Sequence, residues 1–116
     1  MLNYSCFCGR LTRDPEFRMT QNNTPVATFC IAVQRDYNKD KTDFVNVVAW
    51  KHSAEYAKNY LQKGDLVITH GRMQCRSFTD KNGNNREAWE LHTETLYSIG
   101  NKKPAPATTD DEPLPS

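Results

Sequence analysis

Residues 43–52 read Asp-Phe-Val-Asn-Val-Val-Ala-Trp-Lys-His, an alternation that is typical of a β-strand. Successive side chains of a strand point to opposite faces of the sheet. Val45, Val47 and Ala49 then share one face, a small aliphatic set suited to a protein core. The opposite face carries two large rings and consists of Phe44, Asn46, Val48 and Trp50. Because large rings normally lie inside a protein, two of them on an outer face indicate a contact surface.

A second stretch, residues 66–78, combines basic side chains with a ring in the same way. If it is also a strand, Arg72, Gln74, Arg76 and Phe78 fall on one face. Rings interleaved with guanidinium groups suit a surface that stacks nucleic-acid bases and neutralises phosphates. We therefore predict such a surface on these two strands.

The outward rings have structural alternatives. A register shifted by one residue would swap the faces of the strand and make Trp50 a core residue. That register would also expose three aliphatic side chains and bury Asn46, so we favour the first one. Phe78 lies beside one predicted hairpin, and Tyr37 and Phe44 flank another, where a ring can pack the hairpin base instead of a ligand.

Composition indicates a small globular protein but leaves its ligand open. The 116 residues are 37% hydrophobic and 25% charged, which suits one domain with a modest core. Residues 1–100 hold 13 Lys or Arg and 11 Asp or Glu, a net charge of +2, whereas residues 101–116 carry −1. A body this weakly basic must concentrate its positive charge on one surface if it binds phosphates.

Targeting signals are not evident. No run approaches the roughly 18 apolar residues that a membrane span needs. The first residues, Met-Leu-Asn-Tyr, lack the basic start and long apolar run of a signal peptide. We therefore expect a cytoplasmic protein without membrane contact.

No residue pattern predicts catalysis or a cofactor. The cysteines lack the paired spacing of a zinc site, so we predict small buried side chains in a reducing cytosol, with a reactive or metal-bound thiol as the alternative. They are Cys6, Cys8, Cys30 and Cys75. The three histidines share no metal-binding spacing, no carboxylate pair is evident, and the five glycines form no phosphate-binding loop. We predict neither an enzyme nor a bound metal.

The remaining patterns predict five strands and one helix. Alternating or apolar runs bounded by turn residues predict strands at 4–11, 26–35, 43–52, 66–79 and 86–99. Residues 16–19 can resume the first strand after a bend. Apolar spacing of three to four residues predicts a helix over residues 53–63, capped by Ser53 and closed by Gly64.

Two polar segments are expected to be hairpin loops, and the end of the chain is expected to be disordered. The loops are residues 38–42 and residues 80–85, of which the second contains Asn-Gly, a strong signal for a tight hairpin. Among residues 101–116 four are Pro and none is aromatic, so no core can form there. We therefore divide the chain into a folded domain, residues 1–100, and a tail, residues 101–116.

Five segments together resemble one protein family in sequence and in order. They are GRLTRDPE at 9–16, TPVATF at 24–29, FVNVVAW at 44–50, YLQKGDLV at 60–67 and GRMQCRSF at 71–78. Over residues 3–99 the chain is similar to the bacterial and phage single-stranded DNA-binding proteins. The element order agrees, since five strands with a helix between the third and fourth is the order of an all-β OB-fold, a five-stranded Greek-key barrel. That order alone is weak evidence, because the same fold carries binders of other ligands.

The resemblance implies a homo-oligomer, usually a tetramer, around which single-stranded DNA wraps without sequence preference in replication, recombination and repair. In that family surface rings stack on bases, and the matching positions here are Tyr37, Phe44, Trp50 and Phe78. The family's phosphate-contacting positions match Arg18, Lys63 and Arg76. Further candidate phosphate contacts, judged by their position in the chain, are Arg10, Arg35, Lys51, Arg72 and Arg86. Family members often carry a further basic residue where this chain has Asn46, so we expect that contact to be lost.

Two features depart from the family pattern. Trp89 occupies a position that is usually not aromatic in the family. On the predicted strand it shares one face with every second residue up to Ile99, so we predict that it lies in the core or in a subunit interface. The tail ends without the Pro-Phe pair with which the family recruits replication and repair proteins. It keeps the candidate partner-binding residues Asp110, Asp111, Glu112 and Leu114. The resemblance therefore supports partner recruitment only weakly and favours a phage or mobile-element version.

Two other functions remain open from the sequence. An OB-fold adaptor of the replication or primosome type would bind DNA weakly and act mainly through protein contacts. A purely structural OB-fold domain would bind no nucleic acid at all.

Overall fold

The computed structural model describes residues 1–100, which form six β-strands and one α-helix. In chain order these elements are β1 (Ser5–Leu11), β2 (Glu16–Met19), β3 (Pro25–Arg35), β4 (Asn38–Trp50), α1 (His52–Tyr60), β5 (Leu66–Thr79) and β6 (Asn85–Gly100). The predicted strands and helix are all present. Within this part of the chain no helix is long and apolar enough to cross a membrane. The predicted tail, residues 101–116, lies outside the described residues.

The strands close into a barrel because β1 pairs with strands on both sides. Neighbouring strands follow the order β1-β5-β6-β4-β3-β2, and Leu11 of β1 also pairs with Ile31 of β3. Strand β2 continues along β3, with Glu16 opposite Thr28, so β1 and β2 form one bent strand as predicted. Strand β4 pairs antiparallel with β3 and parallel with β6. The result is the predicted five-stranded barrel of an OB-fold.

The inner faces of the strands fill the barrel with apolar side chains. Val47 and Ala49 of β4 are fully buried and Val45 is half-buried, which confirms the predicted register of this strand. They share the core with Leu11, Ala27, Phe29, Ile31, Val67, Leu91 and Leu96. A slip of one residue would replace this aliphatic face with one that carries Asn46.

Helix α1 packs on this core through Ala54 and Ala57, which are fully buried. The predicted cap at its start was wrong. Lys51 precedes the helix in the left-handed region, with a φ of 58°, and no side chain caps the first turn. Ser53 is the second residue of the helix, two positions after the N-cap Lys51. Its hydroxyl therefore cannot act as the cap.

The predicted end of the helix was also wrong. The backbone is already extended at Leu61, so α1 ends at Tyr60, which is exposed, while Leu61 is buried. Gly64 does adopt a positive φ of 91°, but it serves the turn into β5 and not the helix. Its N–H donates to the carbonyl oxygen of Leu11 at 2.9 Å and thereby ties this turn to β1.

The two hairpins differ in how well the sequence predicted them. The first hairpin turns at Asp36 and Tyr37, so residues 38–42 belong to β4 and the prediction of a loop there was wrong. The second hairpin turns where Asn-Gly predicted, and Gly83 has a φ of 81°. Asp80 fixes this turn by accepting hydrogen bonds from two backbone N–H groups through Oδ1.

An irregularity in β6 changes which of its side chains face the core. Gly71 of β5 pairs with Thr93, whereas the preceding His70 pairs with Thr95, so Glu94 has no partner across the ladder. An extra residue on one strand of a pair is a β-bulge, and it reverses the alternation of faces beyond it.

The sequence predicted that every second residue from Trp89 to Ile99 lies on one face of the strand. Because of the bulge, this prediction is wrong for the residues after Glu94. Leu96 is buried, whereas Tyr97 and Ile99 are exposed. Trp89 is also 57% exposed, which excludes the core as its place within one chain. A subunit interface remains the prediction for this ring.

We predict that Gly71→Ala lowers the free energy of unfolding by about 1–3 kcal/mol, the usual cost of overpacking. A Cβ at this position would lie 2.8 Å from the Cα of Thr93 and against the carbonyl oxygen of His92, and neither backbone atom can rotate away. Urea unfolding followed by circular dichroism measures the change. Gly100→Ala is the matched control, since its Cβ would approach Leu66 no closer than 3.6 Å. Equal destabilisation by the two substitutions would contradict the prediction.

Candidate nucleic-acid interface

Four neighbouring strands, β3, β4, β6 and β5, present one continuous outward surface. Val48 of β4 lies between Thr28 of β3 and His92 of β6, and His92 pairs onward with Arg72 of β5. The next row across the same strands is Cys30, Asn46, Glu90 and Gln74. We call these two rows, together with Trp50 and Arg76 at their margins, the outer face.

Two adjoining grooves lie on the outer face. The first has a volume of about 550 Å³ and the second about 490 Å³, and Trp50 and His92 line both of them. The charged residues of the first groove are Arg13, Arg18, Arg76 and Glu90, and those of the second are Lys51, Arg72 and Glu94. The structure therefore brings together five of the predicted binding residues: Arg18, Trp50, Lys51, Arg72 and Arg76.

A series of contacts through His92, Glu90 and Arg76 connects the rings of Trp50 and Phe78. The indole Nε1 of Trp50 donates to Nδ1 of His92 at 3.1 Å, and Nε2 of His92 lies 3.4 Å from Oε1 of Glu90. The other oxygen of Glu90 accepts a hydrogen bond from Nε of Arg76 at 2.9 Å. The guanidinium of Arg76 lies over the ring of Phe78, 5.2 Å from its centroid. Trp50 and Phe78 remain 40% and 39% exposed, so both rings are available for stacking.

Arg86 lies across the hairpin from Phe78 and is held by an acidic partner. Its Nε donates to Oδ2 of Asp80 at 2.8 Å. This hydrogen bond, with smaller contributions from the N–H groups of Asn84 and Asn82, lowers the pKa of the Asp80 carboxyl below its ordinary value. The charge of Arg86 is thus balanced locally, although most of its side chain is exposed.

The β3–β4 hairpin carries three predicted residues at a distance from the grooves. Tyr37 at its turn is 95% exposed and Phe44 is 67% exposed, so neither ring packs the hairpin base. Arg35 forms two hydrogen bonds with Asp43, at 2.9 and 3.0 Å. The pair raises the pKa of Arg35 and lowers that of Asp43. Since Asp43 precedes Phe44 on the strand, its side chain points to the opposite face of the hairpin.

Arg10 and Lys63 lie apart from both grooves. Arg10 lines a separate depression with Gln34, Thr42 and other residues, and its Nη1 donates to the carbonyl oxygen of Gly64 at 3.0 Å. Lys63 is exposed in the adjacent turn, and its backbone N–H donates to Asp14. These two predicted residues therefore form a group of their own beside β1.

Three titratable residues of the first groove were not predicted from the sequence: Arg13, Glu90 and His92. Arg13 lies within a segment that resembles the family, so the pattern of basic residues there was an available signal. Glu90 and His92 gave no local signal, because their position opposite β4 depends on the pairing of strands that are distant in the chain.

The cysteines are less buried than predicted. Cys30 is buried, but Cys6, Cys8 and Cys75 are exposed, and all four thiols are free. Partial desolvation and the nearby Glu87 raise the pKa of the Cys75 thiol, which makes it a poorer nucleophile. Within residues 1–100 no group of three metal-binding side chains is close enough to hold an ion.

We predict that Arg86→Gln raises the pKa of the Asp80 carboxyl toward its ordinary value, because the substitution removes the largest cause of the lowering. NMR of the carboxyl carbon across an acid titration measures this shift. The pair contributes stability that is present above the unfolded-state pKa of Asp80 and is lost as the pH falls through the lower folded-state value. Arg72→Gln is the control, and an Asp80 pKa that responds equally to both variants would contradict the assignment.

Relatives of the chain are bacterial proteins. It is 47% identical over 87 residues to the single-stranded DNA-binding protein 2 of Staphylococcus aureus (strain COL), a match that covers 72% of this chain and 63% of the relative. It is 41% identical over 103 residues to the single-stranded DNA-binding protein of Halalkalibacterium halodurans, covering 85% and 61%. Over 103 residues it is 39% identical to the single-stranded DNA-binding protein A of Bacillus subtilis, covering 85% and 60%. The chain thus spans about three fifths of the length of these relatives.

A family-level match covers nearly all of the described part of the chain. The sequence model of the single-strand binding protein family matches residues 2–99, which include both hairpins and all of the barrel except Gly100 at the end of β6. The chain belongs to the single-strand binding protein family.

Proposed function

We propose that this protein binds and protects single-stranded DNA without sequence preference, in replication, recombination and repair. The observation that carries the proposal is Trp50, an exposed indole that lines two adjoining grooves whose charged residues are mainly arginine and lysine. Exposed rings stack on bases of any sequence, and cations follow the phosphate backbone. Membership of the family supports the same function and favours it over an adaptor that acts through protein contacts.

The charge distribution supports phosphate binding despite the low net charge of the whole chain. The first groove has three arginines and one glutamate, and the glutamate is already bound to Arg76. The second groove has two basic residues and one acidic residue. Positive charge is therefore concentrated along the two grooves, the condition that a weakly basic chain must meet if it binds phosphates.

The predicted rings suggest a path for the DNA. Trp50 and Phe78 lie at the outer face and its adjoining hairpin, while Phe44 and Tyr37 extend along the other hairpin. We propose that a strand stacks on Trp50 and Phe78 and continues toward Phe44 and Tyr37. Arg10 and Lys63 would contact a strand that continues beside β1.

We also propose that the protein acts as a homo-oligomer, with the tetramer of the family as the expectation, in the bacterial cytoplasm. Large apolar side chains are exposed outside the outer face, and they include Leu2, Tyr4, Trp89, Tyr97 and Ile99. A second copy would cover part of this set, and Trp89 is our candidate interface ring. Recruitment of replication or repair proteins through Asp110, Asp111, Glu112 and Leu114 stays a prediction, since these residues lie outside the described part.

Trp50→Ala is expected to weaken binding to dT, dC and dA oligonucleotides alike, by about 1–3 kcal/mol, the usual value of one stacked base. Fluorescence anisotropy of labelled oligonucleotides measures affinity, and light scattering checks that the mass of the particle is unchanged. Tyr60→Ala is the matched control, because this exposed ring lies on α1 and not on the outer face. Unchanged affinity for Trp50→Ala would remove this ring from the site.

Arg18→Gln is expected to reduce the slope of log affinity against log salt by about 0.7, the value for one phosphate contact on a single strand. Arg35→Gln should reduce the slope less, because the guanidinium of Arg35 already binds Asp43 with two N–H groups. Titrations at several salt concentrations give both slopes. A larger reduction for Arg35→Gln would place the phosphate path on the hairpin and not in the groove.

A further inference from the structure

We propose that His92 is a positioning residue for DNA binding, which holds the indole of Trp50 in the orientation that stacks on a base. This inference rests on the proposed function, because it gives Trp50 a ligand to stack against. It adds a residue that lies outside every segment by which the sequence resembles the family.

The geometry places the two rings next to each other with their planes nearly parallel. Their planes differ by 17°, their centroids are 6.3 Å apart, and the nitrogen-to-nitrogen distance is 3.1 Å. An indole N–H and an imidazole lone pair both lie in the planes of their rings, so a hydrogen bond between nearly parallel rings joins them edge to edge. His92 therefore holds the edge of the indole that carries N–H and leaves the faces of the indole free for a base.

The hydrogen bond also fixes the proton on His92. To accept from Trp50, Nδ1 must carry no hydrogen, so the neutral imidazole carries its hydrogen on Nε2. That nitrogen faces Glu90, whose second oxygen is held by Arg76. The imidazole is thus oriented from both sides, which makes it a stable support for the indole.

A fixed indole binds better than a mobile one, since an exposed ring without a partner loses side-chain freedom when it stacks. Trp50 stands at the last residue of β4, next to Lys51 in the left-handed region, and is 40% exposed. The hydrogen bond to His92 restrains the ring before the ligand arrives. His92 itself is only 20% exposed, so it acts through Trp50.

Protonation of His92 would remove this support. A charged imidazole donates from both nitrogens and has no acceptor for the indole N–H. The charged groups that line the two grooves with His92 are Glu90 and Glu94 from β6, Arg72 and Arg76 from β5, Lys51 after β4, Arg13 before β2 and Arg18 in β2. The added positive charge would by itself favour phosphate binding, so affinity at low pH is the sum of two opposing effects. Two substitutions separate them.

The test compares two amide variants of the full chain. His92→Asn places an acceptor near the position of Nδ1 and does not titrate, whereas His92→Gln keeps a donor toward Glu90 without an acceptor at that position. The first readout is the indole N–H signal of Trp50 in ¹H–¹⁵N NMR without DNA, identified by its loss in Trp50→Phe. The second is affinity for a short dT oligonucleotide at pH 8, where His92→Gln should bind about threefold to tenfold more weakly and His92→Asn within about twofold of the wild type.

We expect the indole signal of the wild type and of His92→Asn to lie downfield, and that of His92→Gln to move upfield and exchange faster with water. When the pH is lowered until the imidazole is protonated, the signal should move in the wild type and stay in place in His92→Asn. Equal signals in the wild type and His92→Gln, or equal dT affinities, would overturn the role of His92. If Trp50→Ala also binds like the wild type, the proposed DNA site fails instead. Should His92→Gln not fold, the pH series on the wild type and His92→Asn decides.

Discussion

The pairing of β4 on both of its edges is the constraint on which the rest of the molecule depends. Antiparallel pairing with β3 and parallel pairing with β6 fix its register over the centre of the strand. Because alternation sends neighbouring side chains to opposite faces, the same register that buries Val47 and Ala49 turns Asn46 and Trp50 outward. The core and the candidate interface are thus two sides of one strand, and neither can be changed by a slip without the loss of the other.

Several arginines of the candidate site are paired with carboxylates. Three of the predicted phosphate contacts already hold a carboxylate: Arg76 with Glu90, Arg86 with Asp80 and Arg35 with Asp43. A phosphate that approaches one of these guanidinium groups must share it with the carboxylate or displace the carboxylate, so a paired arginine is expected to contribute less to phosphate binding than an unpaired one. The pair nevertheless keeps the guanidinium in place before a ligand arrives.

Local patterns predicted the parts of the fold that depend on near neighbours. The alternation of β4, the Asn-Gly hairpin and the apolar spacing of α1 are all present in the structure. The bulge at Glu94 and the position of His92 opposite Val48 were not predictable, because both arise from the pairing of β6 with strands that are distant in the chain. The predicted site residues came largely from the family resemblance, and the structure gathers five of them along the two grooves while it leaves Arg10 and Lys63 beside β1.

The same contacts bear on why the proposed binding would be independent of sequence. Reading a base requires free donors or acceptors that reach its edge. On the outer face, the indole N–H of Trp50 donates to His92, and the two oxygens of Glu90 lie against His92 and Nε of Arg76. The flat surface of the rings and the outer nitrogens of the guanidinium groups remain for a ligand, beside the amides of Asn46 and Gln74 in the same rows. Rings stack on any base and guanidinium groups bind any phosphate, so contacts of these two kinds hold a strand without reading its sequence.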